Sequence, residues 1–195
     1  TAGTMEYFDL LIPTPENVPL AVTEISRPRT SYMLSKISGE CLCHYSDLPF
    51  TIFRPHNIYG PRMGYRHVIP QFIERAISSK DSFLIYGMNN TRAFCFIDDA
   101  INALELIMNN EKSMGDTFNI GNDKEEIQIV DLSKKLFNVA NYQVDTKIQN
   151  APKGSVDRRC PDISKIKKLG FEPSVSLDEG LIKTLKWYRN YYKNK

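Results

Sequence analysis

The stretch Tyr32-Met33-Leu34-Ser35-Lys36 decides how the rest of the chain reads. Tyr32 and Lys36 are one helical turn apart, which sets both on one face of an α-helix. An ammonium beside a phenol favours the phenolate. A tyrosine held that way can take a proton from an alcohol or sugar hydroxyl while a nicotinamide takes the hydride. An ordinary amphipathic helix gives the same pattern by chance, so the weight falls on the flanking segments.

Working outward, apolar residues Leu34, Ile37, Cys41, Leu42 and Tyr45 recur near helical spacing and predict a helix from about Ser31 to Ser46. Phe50-Thr51-Ile52-Phe53-Arg54 is a short apolar run, expected as a buried strand of a parallel sheet. Pro55 to Arg62 follows as a loop at the strand's carboxyl end, where ligands bind in open α/β sheets. Before the helix, residues 7–30 hold Pro13, Pro15, Pro19 and Pro28 and read as irregular.

Farther along, His67–Ile77 reads as a helix with Pro70 in its first turn. Phe83–Tyr86 reads as a strand ending at Gly87, and Arg92–Ile97 as one continuous strand. Asp98 is the expected N-cap of a helix reaching Asn109. Asp116–Ile120 is a strand and Ile127–Val139 a helix. Asp162 opens a short helix that Gly170 ends. Ser176 and Glu179 fit a capping box for the last helix.

Composition narrows the function classes. With 25 basic and 23 acidic residues, the net charge of +2 gives no footprint for nucleic acid. No apolar run approaches the ~20 residues that span a bilayer. Cys41, Cys43, Cys95 and Cys160 lack zinc spacing and are expected as free thiols, with no metal site.

Several segments, in order, resemble one family. They are Tyr32–Lys36, Phe53-Arg54-Pro55-His56-Asn57-Ile58-Tyr59-Gly60-Pro61, Thr91-Arg92-Ala93-Phe94 and Phe96-Ile97-Asp98-Asp99-Ala100. Phe118-Asn119-Ile120-Gly121, Arg159–Lys165 and Gly170-Phe171-Glu172-Pro173 complete the set. The chain resembles the extended short-chain dehydrogenase/reductases that modify nucleotide-diphosphate sugars: epimerases, 4,6-dehydratases and UDP-glucuronate decarboxylases.

The resemblance implies the following roles. Tyr32 is the catalytic base. Lys36 is its partner and, with Tyr32 and Pro55, a contact of the cofactor NAD. Thr4 holds the sugar hydroxyl and Glu6 is an additional acid/base. Asn57 contacts the sugar diphosphate, although a turn alone would also select an asparagine. Arg92 clamps the diphosphate with its planar fork, a surface salt bridge being the alternative. Tyr86 and the start of the His67 helix wall the nucleotide base. Arg159 closes over the nucleotide, and its neighbour Arg158 leaves that assignment open.

The implied fold is α/β, the C-terminal part of a Rossmann-type fold with the smaller α/β substrate-binding domain. Residues 1–66 belong to the Rossmann part with the Tyr/Lys helix, and residues 67–195 mainly to the nucleotide-sugar region. Met5 stands where 4,6-dehydratases carry an Asp acid, and His67 stands where decarboxylases usually carry an Arg. These departures favour an epimerase acting through a transient keto-sugar, with decarboxylase or dehydratase as alternatives. No glycine-rich turn follows a strand, so about a hundred residues of βαβ units are expected before Thr1. A non-catalytic nucleotide-sugar-binding or assembly module is therefore a second class of reading. The resemblance further implies a cytoplasmic protein, a homodimer at full length, that binds a nucleotide-diphosphate sugar and neither nucleic acid nor membrane.

The 195 residues alone are expected not to form a stable NAD-binding monomer, because the apolar stripe of the Tyr32 helix and a strand edge would face water. Sedimentation of the 195-residue chain with an NAD titration checks this; a monomer binding NAD at micromolar concentration overturns it.

Overall fold

Thr30 to His44 form helix α1, and Ile52–Pro55 form strand β1, close to the expected bounds. The computed structural model describes residues 11–22, 24–26, 30–78, 82–152 and 155–194; the proposed Thr4 and Glu6 lie outside them. On α1 the buried residues are Thr30, Met33 and Glu40. The helix is held to β1 by a buried ion pair. Arg54 Nε donates to Glu40 Oε1 at 2.9 Å and Arg54 Nη2 to Oε2 at 2.6 Å. A third donor, Nη1, bonds the Glu16 carbonyl at 2.9 Å.

β1 pairs in parallel with β6 (Thr117–Ile120), from Ile52↔Thr117 to Pro55↔Ile120. Among the described residues β1 has no second neighbour. Phe53 on β1, Leu34 and Leu42 on α1 and Tyr45 just past the helix end are exposed, Tyr45 at 90%. The apolar stripe read from the sequence thus faces outward from these residues, and the helix meets its own strand through the polar Glu40.

Strand β2 (Ile58–Tyr59) follows, then helix α2 (Val68–Ile77). Ile69, Phe72, Ile73 and Ala76 face the core at i, i+3, i+4 and i+7. Pro70 is tolerated in the first turn, where no backbone N–H is needed. Strand β3 (Ser82–Tyr86) alternates, with Phe83 and Ile85 fully buried.

The expected continuous strand over 92–97 is two strands in two sheets. β4 (Thr91–Ala93) ends before Phe94, and β5 (Cys95–Phe96) pairs in parallel with β2. β5 runs directly into helix α3 (Ile97–Met108), so Phe96 is the N-cap residue and Asp98 lies inside the first turn. Asp99 acts elsewhere, its buried carboxylate accepting hydrogen bonds from the Ser174 backbone N and Oγ and from Val175 N. Close approach fixes Gly60, where a Cβ would sit 2.5 Å from Ile97 Cγ2.

After β6, strand β7 (Glu126–Gln128) takes Ile127 out of the expected helix, because it pairs antiparallel with β4. Helix α4 (Ile129–Ala140) follows and ends on Asn141 at φ 50°. Strand β8 (Asp145–Gln149) pairs in parallel with β3, and β9 (Arg158–Arg159) in parallel with β4. Helix α5 spans Ser164–Lys167. Helix α6 spans Leu177–Lys193, with Ser176 Oγ accepting from Glu179 N at 3.3 Å. The Glu179 carboxylate pairs forward with Lys183 at 3.0 Å.

Two apolar clusters result. One joins α2, β3, α4 and α6 through residues such as Phe72, Phe83, Leu136 and Leu181. The other joins α3, β6 and α5 through Ala103, Phe118 and Ile166. Removing one partner of a buried ion pair leaves an uncompensated charge, a loss of roughly 3–5 kcal/mol. Arg54 and Glu40 side chains are only 8% and 7% exposed, so Glu40→Ala is expected to destabilise by that order. Urea unfolding measures it, and an unchanged midpoint contradicts it.

Candidate active-site cleft

α1 brings Tyr32 to the carboxyl end of β1, and both open onto a cleft of about 600 Å³. Lys36 Nζ lies 5.3 Å from the centroid of the Tyr32 ring, so the two share a helix face as their spacing predicts. Pro55 and Asn57, from the end of β1, line the same cleft. Asn57 adopts φ 46°, and its Nδ2 donates to the Ala93 carbonyl at 3.0 Å. The turn accounts for the choice of asparagine, and the residue still borders the cleft.

The facing wall comes from α2 and β3. His67 precedes α2 as its N-cap residue with no side-chain cap bond, and Tyr86 ends β3; both line the cleft. The third wall is the sheet β7-β4-β9, where Arg92 and Arg159 are register partners. Arg92 donates to the carbonyls of Thr91 (2.7 Å), Val156 (2.6 Å) and Asp157 (3.3 Å), tying β4 to the segment before β9. Burial pushes the Arg92 pKa down from its ordinary value, and Asp157 opposes that shift.

The neighbours Arg158 and Arg159 face different ways. Arg158 turns to Glu126, with Nε–Oε1 at 2.8 Å and Nη2–Oε2 at 2.9 Å, while Arg159 lines the cleft. Successive strand residues point to opposite faces, so only one of the pair can do so.

Arg66, Gln71 and Arg75 also border the cleft and were not anticipated. A signal for two of them was available: His67, Gln71 and Arg75 recur every fourth residue, opposite the apolar stripe of α2. Arg75 Nη1 donates to the Leu84 carbonyl at 2.7 Å, and its guanidinium lies over the Phe83 ring at 5.3 Å. Four arginines therefore line the cleft, and among the described residues no carboxylate does. Such a cavity suits a ligand with clustered negative charge, such as a diphosphate.

Beneath the cleft, His56 Nε2 and Asn119 Oδ1 are 3.0 Å apart. Asn119 Nδ2 donates to the carbonyls of Thr14 (2.9 Å) and Asp162 (3.1 Å), so its Oδ1 faces His56 as the acceptor. Gly121 passes close to Pro161, whose Cγ would be 2.6 Å from a Cβ there. These contacts join the segments around His56, Asn119 and Pro161, which lie far apart in sequence.

The chain thus combines an α/β fold with a Tyr/Lys helix bordering an arginine-lined cleft. The chain belongs to the NAD dependent epimerase/dehydratase family, whose family model it matches over residues 2–121. It is 36% identical over 183 residues to a UDP-N-acetyl-alpha-D-glucosaminuronate decarboxylase of Bacillus cytotoxicus, covering 84% of this chain and 54% of that protein. It is 30% identical to a dTDP-D-glucose 4,6-dehydratase of Dictyostelium discoideum, covering 87% and 48%. The fold matches UDP-glucuronic acid 4-epimerase from Bacillus cereus, solved with UDP-glucuronic acid and NAD. There the TM-score is 0.84 at 26% identity, covering 98% of this chain and 61% of that one. The chain spans about half the length of the curated relatives it matches. The family comparison bears out the Rossmann-type extended short-chain dehydrogenase/reductase fold.

Among the described residues no helix is long and apolar enough to cross a membrane, and no cluster could hold a metal ion.

Burial lowers the His56 pKa to about 4, with the positive charges of Arg159 and Arg54 adding to the effect. In the unfolded chain the imidazole titrates near ~6.5. Below that pH the unfolded state binds more protons, so the contribution present above about pH 6.5 is lost as pH falls toward 4. The full effect is on the order of 3 kcal/mol. Urea midpoints measured from about pH 7 down to about pH 4 should fall, and fall less steeply in His56→Gln; equal slopes contradict this.

Proposed function

We propose that this chain carries the proton-transfer and nucleotide-sugar-binding groups of an NAD-dependent nucleotide-diphosphate-sugar epimerase. The carrying observation is Tyr32, with Lys36 over its ring, opening onto a cleft lined by arginines. Tyr32 accepts the proton of a sugar hydroxyl, with the Lys36 ammonium 5.3 Å from the centroid of its ring. Arg92 and Arg159 take the diphosphate from adjacent strands, Asn57 offers its amide, and Tyr86 and His67 border the nucleotide base. Thr4 and Glu6 remain assigned as the hydroxyl ligand and the additional acid/base.

Tyr32, Lys36 and Pro55 fit the nicotinamide end of NAD. No G-x-G-x-x-G turn occurs in the sequence to cradle the cofactor's pyrophosphate. When bound, NAD supplies a hydride acceptor for the sugar carbon and returns the hydride. Tyr32 gives its proton back when the keto group is reduced on the other face. The protein is further proposed to act in the cytoplasm as a homodimer. The identity to a nucleotide-uronate decarboxylase supports a second reading, in which the same oxidation precedes loss of carbon dioxide; assaying released carbon dioxide separates the two.

In the full-length enzyme, Tyr32→Phe is expected to lower kcat by about 10²–10⁴-fold while a nucleotide sugar still binds. Steady-state kinetics beside calorimetry tests this, and wild-type turnover by the variant overturns the assignment.

A further inference from the structure

We propose that Tyr188, on the C-terminal helix α6 and outside the cleft, is a positioning residue that holds segment 63–67 in place as one wall of the nucleotide-sugar site. The inference rests on the nucleotide-sugar reading of the cleft and adds a distant residue to it.

Met63, Arg66 and His67 border the cleft. The chain that carries them joins β2 to α2, and over 61–67 it pairs with no strand among the described residues. Its own backbone closes turns from Met63 N to Gly60 O at 3.4 Å and from His67 N to Gly64 O at 3.3 Å. Arg62 sits at φ 63°, a left-handed conformation that a residue with a Cβ adopts only where its surroundings impose it. A connection of this kind opens locally at little cost unless something outside it supplies a tether.

The tether comes from α6. Tyr188 is 1% exposed, and its hydroxyl donates to the Met63 carbonyl. Burial pushes its pKa up to about 12, so it stays a donor at neutral pH. Tyr65 packs against the Tyr188 ring with centroids 5.9 Å apart and against Tyr192 at 6.3 Å. α6 is anchored in turn by Leu181 and Leu185 in the larger apolar cluster. Neither Tyr65 nor Tyr188 lines the cleft, so any effect they have on a ligand passes through segment 63–67. A buried tyrosine that only satisfies its own hydroxyl looks different. Tyr59 is such a case, its hydroxyl donating at 3.3 Å to the Leu177 carbonyl, which does not border the cleft.

The test uses the NAD-loaded full-length protein, with UDP, TDP and their glucose conjugates as probes. Tyr188→Phe keeps the ring and removes the hydroxyl, and Tyr59→Phe is the matched control. By calorimetry, Tyr188→Phe should weaken binding by about three- to tenfold, the range for one lost hydrogen bond, and Tyr59→Phe by less than about twofold. Amide exchange in Tyr188→Phe should speed up over residues 63–68 and keep its wild-type rate over 91–93, on the opposite wall. With a sugar that turns over, KM should rise by the same factor and kcat stay within about twofold, because Tyr32 stands on α1. Should Tyr188→Phe fail to fold, Tyr65→Leu replaces it, at a ring already 39% exposed, with the same expected outcome. An unchanged dissociation constant, equal weakening in Tyr59→Phe, or exchange that rises equally throughout the chain overturns the inference and leaves the nucleotide-sugar reading standing. Failure of the wild type to bind any of the probes overturns both.

Discussion

The Arg54–Glu40 pair sets the register on which the cleft depends. Tyr32, Lys36 and Glu40 recur every fourth residue along α1, and Arg54 precedes Pro55 on β1. From Glu40 back to Tyr32 the helix advances about 12 Å, at about 1.5 Å per residue. From Arg54 on to Asn57 an extended chain advances about 10 Å. Locking Glu40 to Arg54 with two charge-assisted bonds therefore brings Tyr32 level with the carboxyl end of the strand. A one-turn slip of the helix would carry the phenol about 5 Å along its axis and out of the corner it shares with Pro55 and Asn57. Buried ion pairs are weak sources of stability because desolvation offsets their attraction. Here the pair's geometry matters more, since the rest of the α1 surface offers little apolar contact to the strand.

A second polar junction lies one step deeper. The Asn119 amide reaches both carbonyls, of Thr14 and Asp162, and faces His56 with its oxygen. The Glu16 carboxylate accepts from Asn119 N at 2.8 Å, while the Glu16 carbonyl accepts from Arg54. The irregular segment at residues 11–22 thus has a place in the interior, bridging the two junctions. Burial raises the Glu16 pKa, and the bond from the Asn119 backbone opposes that shift. This connectivity explains in physical terms why short motifs far apart in sequence occur together: each supplies one side of a shared contact.

Elements with a periodic apolar signal were legible in the sequence. α1, β1, α2, β3, β6 and the cap of α6 carry that signal within their own residues. The departures came where pairing decides structure. β8 has every side chain exposed, so it shows no alternation and exists through its ladder with β3. Ile127 fits a helical stripe, yet antiparallel pairing with β4 captures it. Asp98 has the right chemistry for a cap, but β5 leaves no intervening turn for one. In the cleft, the sequence could not divide Arg158 from Arg159, because the distant Glu126 decides which of them turns away.

The cleft's charge has the same origin. A chain with a net charge of +2 gives no hint of a one-signed cavity. The asymmetry arises because the carboxylates near the site are engaged elsewhere: Glu126 with Arg158 and Thr91, and Asp99 with the residues before α6. Gathering guanidiniums around one space is repulsive, and the fold offsets that cost with carbonyl dipoles from Leu84, Thr91, Val156 and Asp157. Those bonds also hold Arg75 and Arg92 in place. A diphosphate of the kind proposed would meet donors already oriented and would relieve their mutual repulsion, so the pairing of the strands prepares the cleft for it.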